Sequence, residues 1–489
     1  MNKPDTSYMY GFTGIWREDN SVSRVSDVIE AIERAVPARK TNLDQAEVTR
    51  LRKLTSELIA AKPEAAAEYA RFLGVRQRGL CLPEAELGRR LGGATVLVTG
   101  GTGCIGSTLM AELARREPRR LVSVSRGATA GWPRQPGAEY LTGDARDRAR
   151  LDEIIAEVRP DVIFHVAAQR SPALAEVDVH GTVTTNVLGT RNVLAAAAAA
   201  GVPQVVCAST GKAVRPYSPE MYTASKRAAE WIAATAAASG DLVVSAARFT
   251  HVIDNSIVYE RLLDWADAGT GAGHAADDAV VRLHGSSIAF YIQSALESAQ
   301  LLLLACLGAR PRELRVHAIT DLGWPVSLID VALGVLAAKR SRTPVYISGY
   351  DPGYEEVAFP GLYDPATAGD VSALMSAFET AALVESPCPM VDAFRLEMAP
   401  DTVCLKLLAA LDSVCERTRD GAEVRAALDE LSWSLLDAAL GAASQTALDR
   451  SATLIGQHEQ TMTPAHHRVA AAIRSQASPP AGTGAVTTV

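Results

Sequence analysis

Tyr222 and Lys226 stand four residues apart in Tyr222-Thr223-Ala224-Ser225-Lys226, at the start of a stretch with helical spacing. That separation puts both side chains on one helix face. A lysine ammonium beside a phenol favours the phenolate and draws an ordinary pKa of about 10 toward the working range. Tyr222 could then give or take the proton of a carbinol or carbonyl while a hydride moves. Just upstream, Ala208-Ser209-Thr210-Gly211-Lys212 ends an apolar run. Ser209 and Thr210 offer hydroxyls that could hold the reacting oxygen, and Lys212 offers a second amine.

Such chemistry needs a hydride carrier, and a second motif provides for one. Val96-Leu97-Val98-Thr99-Gly100-Gly101-Thr102-Gly103-Cys104-Ile105-Gly106 joins an apolar run to a helical one. A glycine triplet alone says little; between a strand and a helix it reads as a dinucleotide-binding turn. Gly100 allows the tight turn, Gly103 lets the backbone approach a pyrophosphate, and Gly106 lets the helix pack on the strand. Thr102, Cys104 and Ile105 complete the turn and open the helix, whose free N–H groups suit phosphate. The next apolar run ends in Ser125-Arg126. A hydroxyl and a guanidinium there suit a ribose 2′-phosphate, and no carboxylate repels it. NADP is therefore the expected cofactor, with NAD second.

The elements that must position these residues follow from the apolar pattern. Short apolar runs at 94–99, 121–125, 161–167, 204–208 and 242–247 alternate with helical stretches at 107–116, 149–158, 187–200 and 223–239. Fully apolar strands alternating with helices predict an α/β fold, a doubly wound Rossmann-type parallel sheet. The expected organisation is an N-terminal helical accessory segment over 1–92 and a dinucleotide-binding domain with a small substrate-binding part over 93–362. A C-terminal helical region with few strand signals follows over 363–475, then a Pro/Gly/Ala/Thr-rich disordered tail over 476–489. Tyr8-Met9-Tyr10-Gly11-Phe12 is expected to pack on a neighbour.

Composition narrows the class. The 489 residues carry 48 basic and 56 acidic side chains, a formal charge of −8, which argues against a nucleic-acid binder. No run reaches the roughly 20 apolar residues of a membrane span. Met1-Asn2-Lys3-Pro4-Asp5 has no apolar core after it, so no secretory signal is expected. Seven cysteines without a Cys-x-x-Cys pair indicate neither a disulfide framework nor a zinc site. His466-His467 has no spaced partner, and no metal is expected. The expected setting is a reduced cytoplasm.

Over residues 93–362 the chain resembles the extended short-chain dehydrogenase/reductase family. Besides the motifs above, the resemblance is carried by Leu141-Thr142-Gly143-Asp144-Ala145-Arg146-Asp147, by Asp161-Val162-Ile163-Phe164-His165-Val166-Ala167-Ala168 and by Thr185-Asn186-Val187-Leu188-Gly189-Thr190. Within the family it is most similar to the capsular polysaccharide-biosynthesis group of inverting UDP-N-acetylglucosamine 4,6-dehydratases. The carriers are Ser209-Thr210-Gly211-Lys212-Ala213-Val214-Arg215-Pro216, Arg248-Phe249, and the late block running from Pro344 through Tyr350-Asp351-Pro352-Gly353-Tyr354 to Glu356. The resemblance implies that Asp144 and Ala145 border the adenine and that Ala167 and Ala168 line the cofactor. It also makes Lys212 a base beside a transient ketone, implies a homodimer, and places Arg170, His251, Arg282 and His284 toward the substrate.

The departures bear on the reaction. Gly211 stands where that group has an aspartate, the acid that helps water leave. Asp351 stands where it has an arginine of the late block, Phe290 where it has another, and His251 where it has an asparagine. Loss of two nucleotide-contacting arginines suggests a substrate that is not an ordinary UDP-sugar, or one bound differently; Arg282 or His284 could restore part of the charge. The leading expectation is an NADP-dependent enzyme that transiently oxidises a sugar-like hydroxyl, of epimerase or dehydratase type. An NADPH-dependent ketoreductase and a catalytically idle cofactor-binding scaffold are the alternatives.

Overall fold

The computed structural model describes residues 20–127, 132–270, 279–350, 371–396, 398, 401–457 and 459–478. Tyr8–Phe12, the stretch from Asp351 to Glu356, the boundary near 362 and most of the tail lie outside the described residues. The chain forms two compact units. One gathers Met1–Gly79, Thr250–Ser298 and Leu322–Pro352; the other gathers Leu80–Phe249, Ala299–Asp321 and Gly353–Val489.

The larger unit is built on one sheet. Its strands in chain order are β1 Thr95–Thr99, β2 Arg120–Ser125, β3 Glu139–Thr142, β4 Val162–His165, β5 Gln204–Thr210, β6 Val243–Phe249, β7 Arg315–Ile319, β8 Leu383–Val384 and β9 Val391–Arg395. The spatial order is β8-β9-β7-β6-β5-β4-β1-β2-β3. From β3 to β7 every pairing is parallel, with Thr99 opposite His165 and Thr210 opposite Phe249. The doubly wound architecture expected from the alternation is the one observed. All five residues of β1 are buried, which is why that run shows no polar alternation.

The C-terminal part is not helical throughout. β9 pairs antiparallel with β7, and β8 with β9, so this region supplies the sheet edge. Val391-Asp392-Ala393-Phe394-Arg395 does alternate, but Pro387 and Pro389 just before it read as breakers. The helices Thr402–Arg417 and Gly421–Ala442 share one hydrophobic cluster with the sheet and with the helix Met221–Ser239. That last helix is buried on nearly all sides, through Ala224, Ala228, Trp231 and Ala234.

The smaller unit has its own core. Helices Asn20–Ala35, Gln45–Ala61 and Ala65–Gly74 enclose Ile32, Leu51, Leu58 and Phe72 with Tyr259, Leu262, Ile329 and Leu333. Three two-stranded pairs complete it: His251–Val252 with Ile292–Gln293, Ala289–Phe290 with Val326–Ser327, and Val281–Leu283 with Val345–Ile347. Among the described residues no helix is long and apolar enough to cross a membrane.

Gly334 lies where the helix Leu328–Lys339 meets Ala65–Gly74. A Cβ there would run into the Tyr69 side chain and come within 2.8 Å of the Ala65 carbonyl oxygen. Gly334→Leu overpacks this contact and is expected to cost about 1–3 kcal/mol, read as a fall in the chemical-denaturation midpoint.

Candidate active site

The parallel strands from β1 to β6 end on the same side of the sheet, and the candidate residues of the larger unit cluster at those ends. After β1, Gly100 adopts φ +78°, a conformation that disfavours side chains, and a Cβ there would stand 2.8 Å from the Ala167 nitrogen. At Gly106 an added Cβ would collide with the Gly100 carbonyl, so the helix Cys104–Ala114 can pack down only on glycine. At Gly103 the nearest atom would be 3.6 Å away, so that side of the turn is open. Gly103 caps the helix and brings no side chain to its first turn, the positive end of the helix dipole. Cys104 is buried, Ile105 half-buried, and the Thr102 hydroxyl donates to the Gly127 carbonyl at 3.1 Å. This cradle fits a dinucleotide pyrophosphate.

Beyond β2, Arg126 is exposed, while the Ser125 hydroxyl is spent on the Gly127 carbonyl at 3.0 Å. Asp144, after β3, is gripped by the Arg146 guanidinium at 2.6 Å and accepts the Arg146 N–H at 2.9 Å. Burial alone would raise its pKa; the Arg146 bonds and charge and the Arg126 charge outweigh that and hold it below the usual carboxylate range. Ala145 is buried beside it, with its carbonyl taken by Asn192 at 3.2 Å. Ala167 is half-buried against Thr99, whereas Ala168 is exposed.

Tyr222 sits in the first turn of Met221–Ser239, a helix whose first N–H is accepted by Glu176 at 2.8 Å. Burial raises the Tyr222 pKa, and the Thr210 hydroxyl bond and the Arg170 charge act in the opposite sense. Burial prevails and the net shift is upward; Thr210 and Arg170 oppose it, where the spacing had pointed to Lys226. The Lys226 ammonium instead donates to the Ala208 carbonyl at 2.7 Å, and its own pKa is lowered by burial. Lys212 bonds Glu220 at 3.0 Å; Arg215 and Thr223 reach the same carboxylate at 3.3 and 2.8 Å. Burial opposes ionisation of Glu220, but the Lys212 and Arg215 charges prevail and lower its pKa. Sequence reasoning missed Glu220, although a carboxylate two residues before Tyr222 is a visible signal.

Ser209 corrects the expectation that both hydroxyls hold the reacting oxygen. Neighbouring strand residues point to opposite faces of the sheet. Thr210 turns toward Tyr222, and Ser209 turns inward to donate to Glu230 at 2.6 Å. Glu230 belongs to a buried network. Arg248, wholly buried, donates to Glu230 at 2.7 and 2.8 Å and to Glu379 at 2.7 and 2.8 Å, and Arg227 adds a contact to Glu379 at 3.3 Å. Glu230 lies eight residues after Tyr222, a legible helical spacing. Glu379 lies more than 130 residues beyond Arg248 and gave no signal.

The remaining substrate-side candidates lie in the smaller unit. Arg282 gives its guanidinium to the Lys40 and Thr41 carbonyls at 3.1 and 2.8 Å, a structural tie rather than the expected replacement charge. His251 bonds Ser256 at 2.5 Å and packs on Phe290, with ring centroids 4.8 Å apart. His284 packs on Tyr350 at 5.6 Å.

Comparison with known proteins places this geometry. Residues 96–357 match the family described as polysaccharide biosynthesis protein. The chain belongs to that family, within the extended short-chain dehydrogenases/reductases. Its relatives include the probable polysaccharide biosynthesis protein EpsC of Bacillus subtilis, 25% identical over 297 residues, or 58% of this chain and 48% of that one. Another is the inverting UDP-N-acetylglucosamine 4,6-dehydratase of Campylobacter jejuni, 31% identical over 141 residues, 28% of this chain and 41% of that one. This family member spans about half the length of the first curated relatives it matches. The X-ray structure of Pen from Bacillus thuringiensis shares the fold at TM-score 0.52 and 21% identity, over 62% of this chain and 88% of that one.

Removing Glu379 leaves buried arginines underpaired, and Glu379→Ala is expected to cost about 3–5 kcal/mol. Burial would raise the Glu379 pKa, but the Arg248 charge and bonds and the Arg227 charge outweigh it, so the folded value is depressed. The carboxylate therefore contributes fully above the unfolded value of about 4.3 and loses its contribution as pH falls through the lower folded value. Denaturation of wild type and Glu379→Gln across pH should show the stability gap narrowing below about pH 4.

Proposed function

We propose that this protein is an NADP-dependent enzyme that transiently oxidises a hydroxyl of a sugar or sugar-like substrate, of epimerase or dehydratase type. The observation that carries the reading is the placement of Tyr222, bonded by Thr210, at the same sheet end as the open glycine cradle. Membership of the polysaccharide biosynthesis family supports a carbohydrate substrate, and the printed name of the Campylobacter relative supports a nucleotide-linked one.

Gly100, Gly103 and Gly106 would admit the dinucleotide, Asp144 and Ala145 would border its adenine, and Arg126 would meet a 2′-phosphate. When bound, the nicotinamide supplies the hydride acceptor and donor. Tyr222 takes the hydroxyl proton as the substrate is oxidised and returns it on reduction. Thr210 holds the phenolic oxygen, and the Arg170 charge favours the phenolate. Lys226, fixed on the Ala208 carbonyl, keeps a cation beneath the site. Lys212, held by Glu220, is the amine within the strand-end loop for proton exchange at the carbon next to the transient ketone.

Denaturing the purified protein and identifying the released nucleotide should yield NADP⁺; a chain that binds neither NADP nor NAD would overturn the reading. Tyr222→Phe should lower turnover about 10²–10⁴-fold with little change in cofactor binding. Arg170→Ala removes a charge that stabilises the phenolate, so the alkaline rise of kcat/KM should move to higher pH.

A further inference from the structure

Position 211 lies in the strand-end turn between Thr210, which bonds Tyr222, and Lys212. A Cβ built on Gly211 would stand 2.6 Å from a Leu374 methyl and 3.4 Å from Leu374 Cγ. The backbone of Gly211 is outside the left-handed region, so nothing in its own conformation demands glycine. That space is occupied by the end of the Leu374 side chain, which is buried and comes from a segment beyond the family-matched residues 96–357.

That segment is fixed where it stands. The Leu374 carbonyl accepts from Arg248 Nη1 at 3.0 Å, and the Ser372 N–H donates to Asp392 of β9 at 2.7 Å. Five residues on, Glu379 takes both the Ser376 N–H at 2.8 Å and the Arg248 fork. The buried ion pairs that hold Ser209 and Glu230 therefore also seat Leu374 against the strand-end loop.

We propose that Leu374 is a specificity-determining residue of this site, an apolar wall occupying the place of a side chain at 211. The inference rests on the redox reading above and deepens it. Loss of water requires a proton delivered to the departing hydroxyl oxygen as its C–O bond breaks, while a base removes a proton from the adjacent carbon. The wall supplies no such donor at 211. Tyr222 can still cycle the carbinol proton and Lys212 can still exchange the neighbouring one. The site is thus built for products isomeric with the substrate rather than products lighter by one water.

The test has two readouts. The first is a thermal-unfolding cycle over Gly211→Asp, Leu374→Ala and the double variant. Gly211→Asp should lower Tm by at least about 4 °C when made alone, and by less than half as much when Leu374→Ala is already present. Equal penalties in both backgrounds overturn the wall. Separately, the full chain loaded with NADP⁺ is given UDP-N-acetylglucosamine or UDP-glucose and the products are weighed. A new isomer, separated from the substrate by chromatography and equal to it in mass, supports the inference, and a product lighter by one water from the wild type overturns it while leaving the redox reading intact. If the protein binds neither NADP nor NAD, the redox reading fails, and the unfolding cycle by itself decides whether Leu374 fills the space at 211.

Discussion

Arg248 is the charge on which the candidate site depends. A guanidinium with no exposure to water must have its charge and its donors satisfied inside the protein. It meets Glu230 on the helix that carries Tyr222, Glu379 on the segment before β8, and the Leu374 carbonyl. Its own strand, β6, lies beside β5, where Ser209 completes the circuit through Glu230. Arginine suits this place because its planar fork grips two carboxylates at once and it does not deprotonate. Phe394 of β9 covers the guanidinium face at 5.0 Å. One buried ion thus ties together the strand end, the Tyr222 helix and the C-terminal segment.

That tie gives the sheet alternation its chemical meaning. Because Ser209 is drawn inward to the network, Thr210 must face outward, toward Tyr222. The next residues are bound by the same logic: Thr210 caps the turn Gly211–Val214, and Lys212 at its second position is tied to Glu220, two residues before Tyr222. The charge pairs of Lys212 and Arg215 with Glu220 thus tie the strand-end loop to the residues just before the Tyr222 helix. At the neighbouring strand ends, the β1 turn offers bare glycine backbone. Parallel strands bring these features together, since their carboxyl ends share one edge and the crossover helices begin there.

Much of this was legible in the sequence. The fully apolar runs announced β1, β2 and β4 to β6, and Gly100, Gly103 and Gly106 announced three distinct backbone demands that the geometry shows separately. Tyr222 and Lys226 were visible through helical spacing. What spacing could not show is where a long side chain goes once packed. Lys226 turned to a strand carbonyl, Ser209 to an internal carboxylate, and Arg282 to two backbone carbonyls, because buried donors take the nearest acceptor that satisfies them. Glu379 and Leu374 were invisible for another reason. Their partners lie far away in sequence, and neither residue type nor periodicity carries long-range pairing. Val391–Arg395 was hidden by the prolines that precede it, although a proline before a strand removes no hydrogen bond from the ladder itself.

The C-terminal segment also changes what a family match over 96–357 means for this chain. That stretch holds the glycine cradle, Thr210, Tyr222 and Lys226, the residues to which the proposed hydride transfer is assigned. It does not hold the carboxylate that completes Arg248, the residue that fills the space at 211, or the two strands that extend the sheet beyond β7. Those come from 372–395, and the helices Thr402–Arg417 and Gly421–Ala442 then bury the outer side of the Tyr222 helix. A segment that shares the core and neutralises a buried charge cannot be detached without leaving Arg248 short of a partner. The matched stretch carries the residues on which the proposed redox reading rests, and the segment packed against it supplies Glu379 and Leu374.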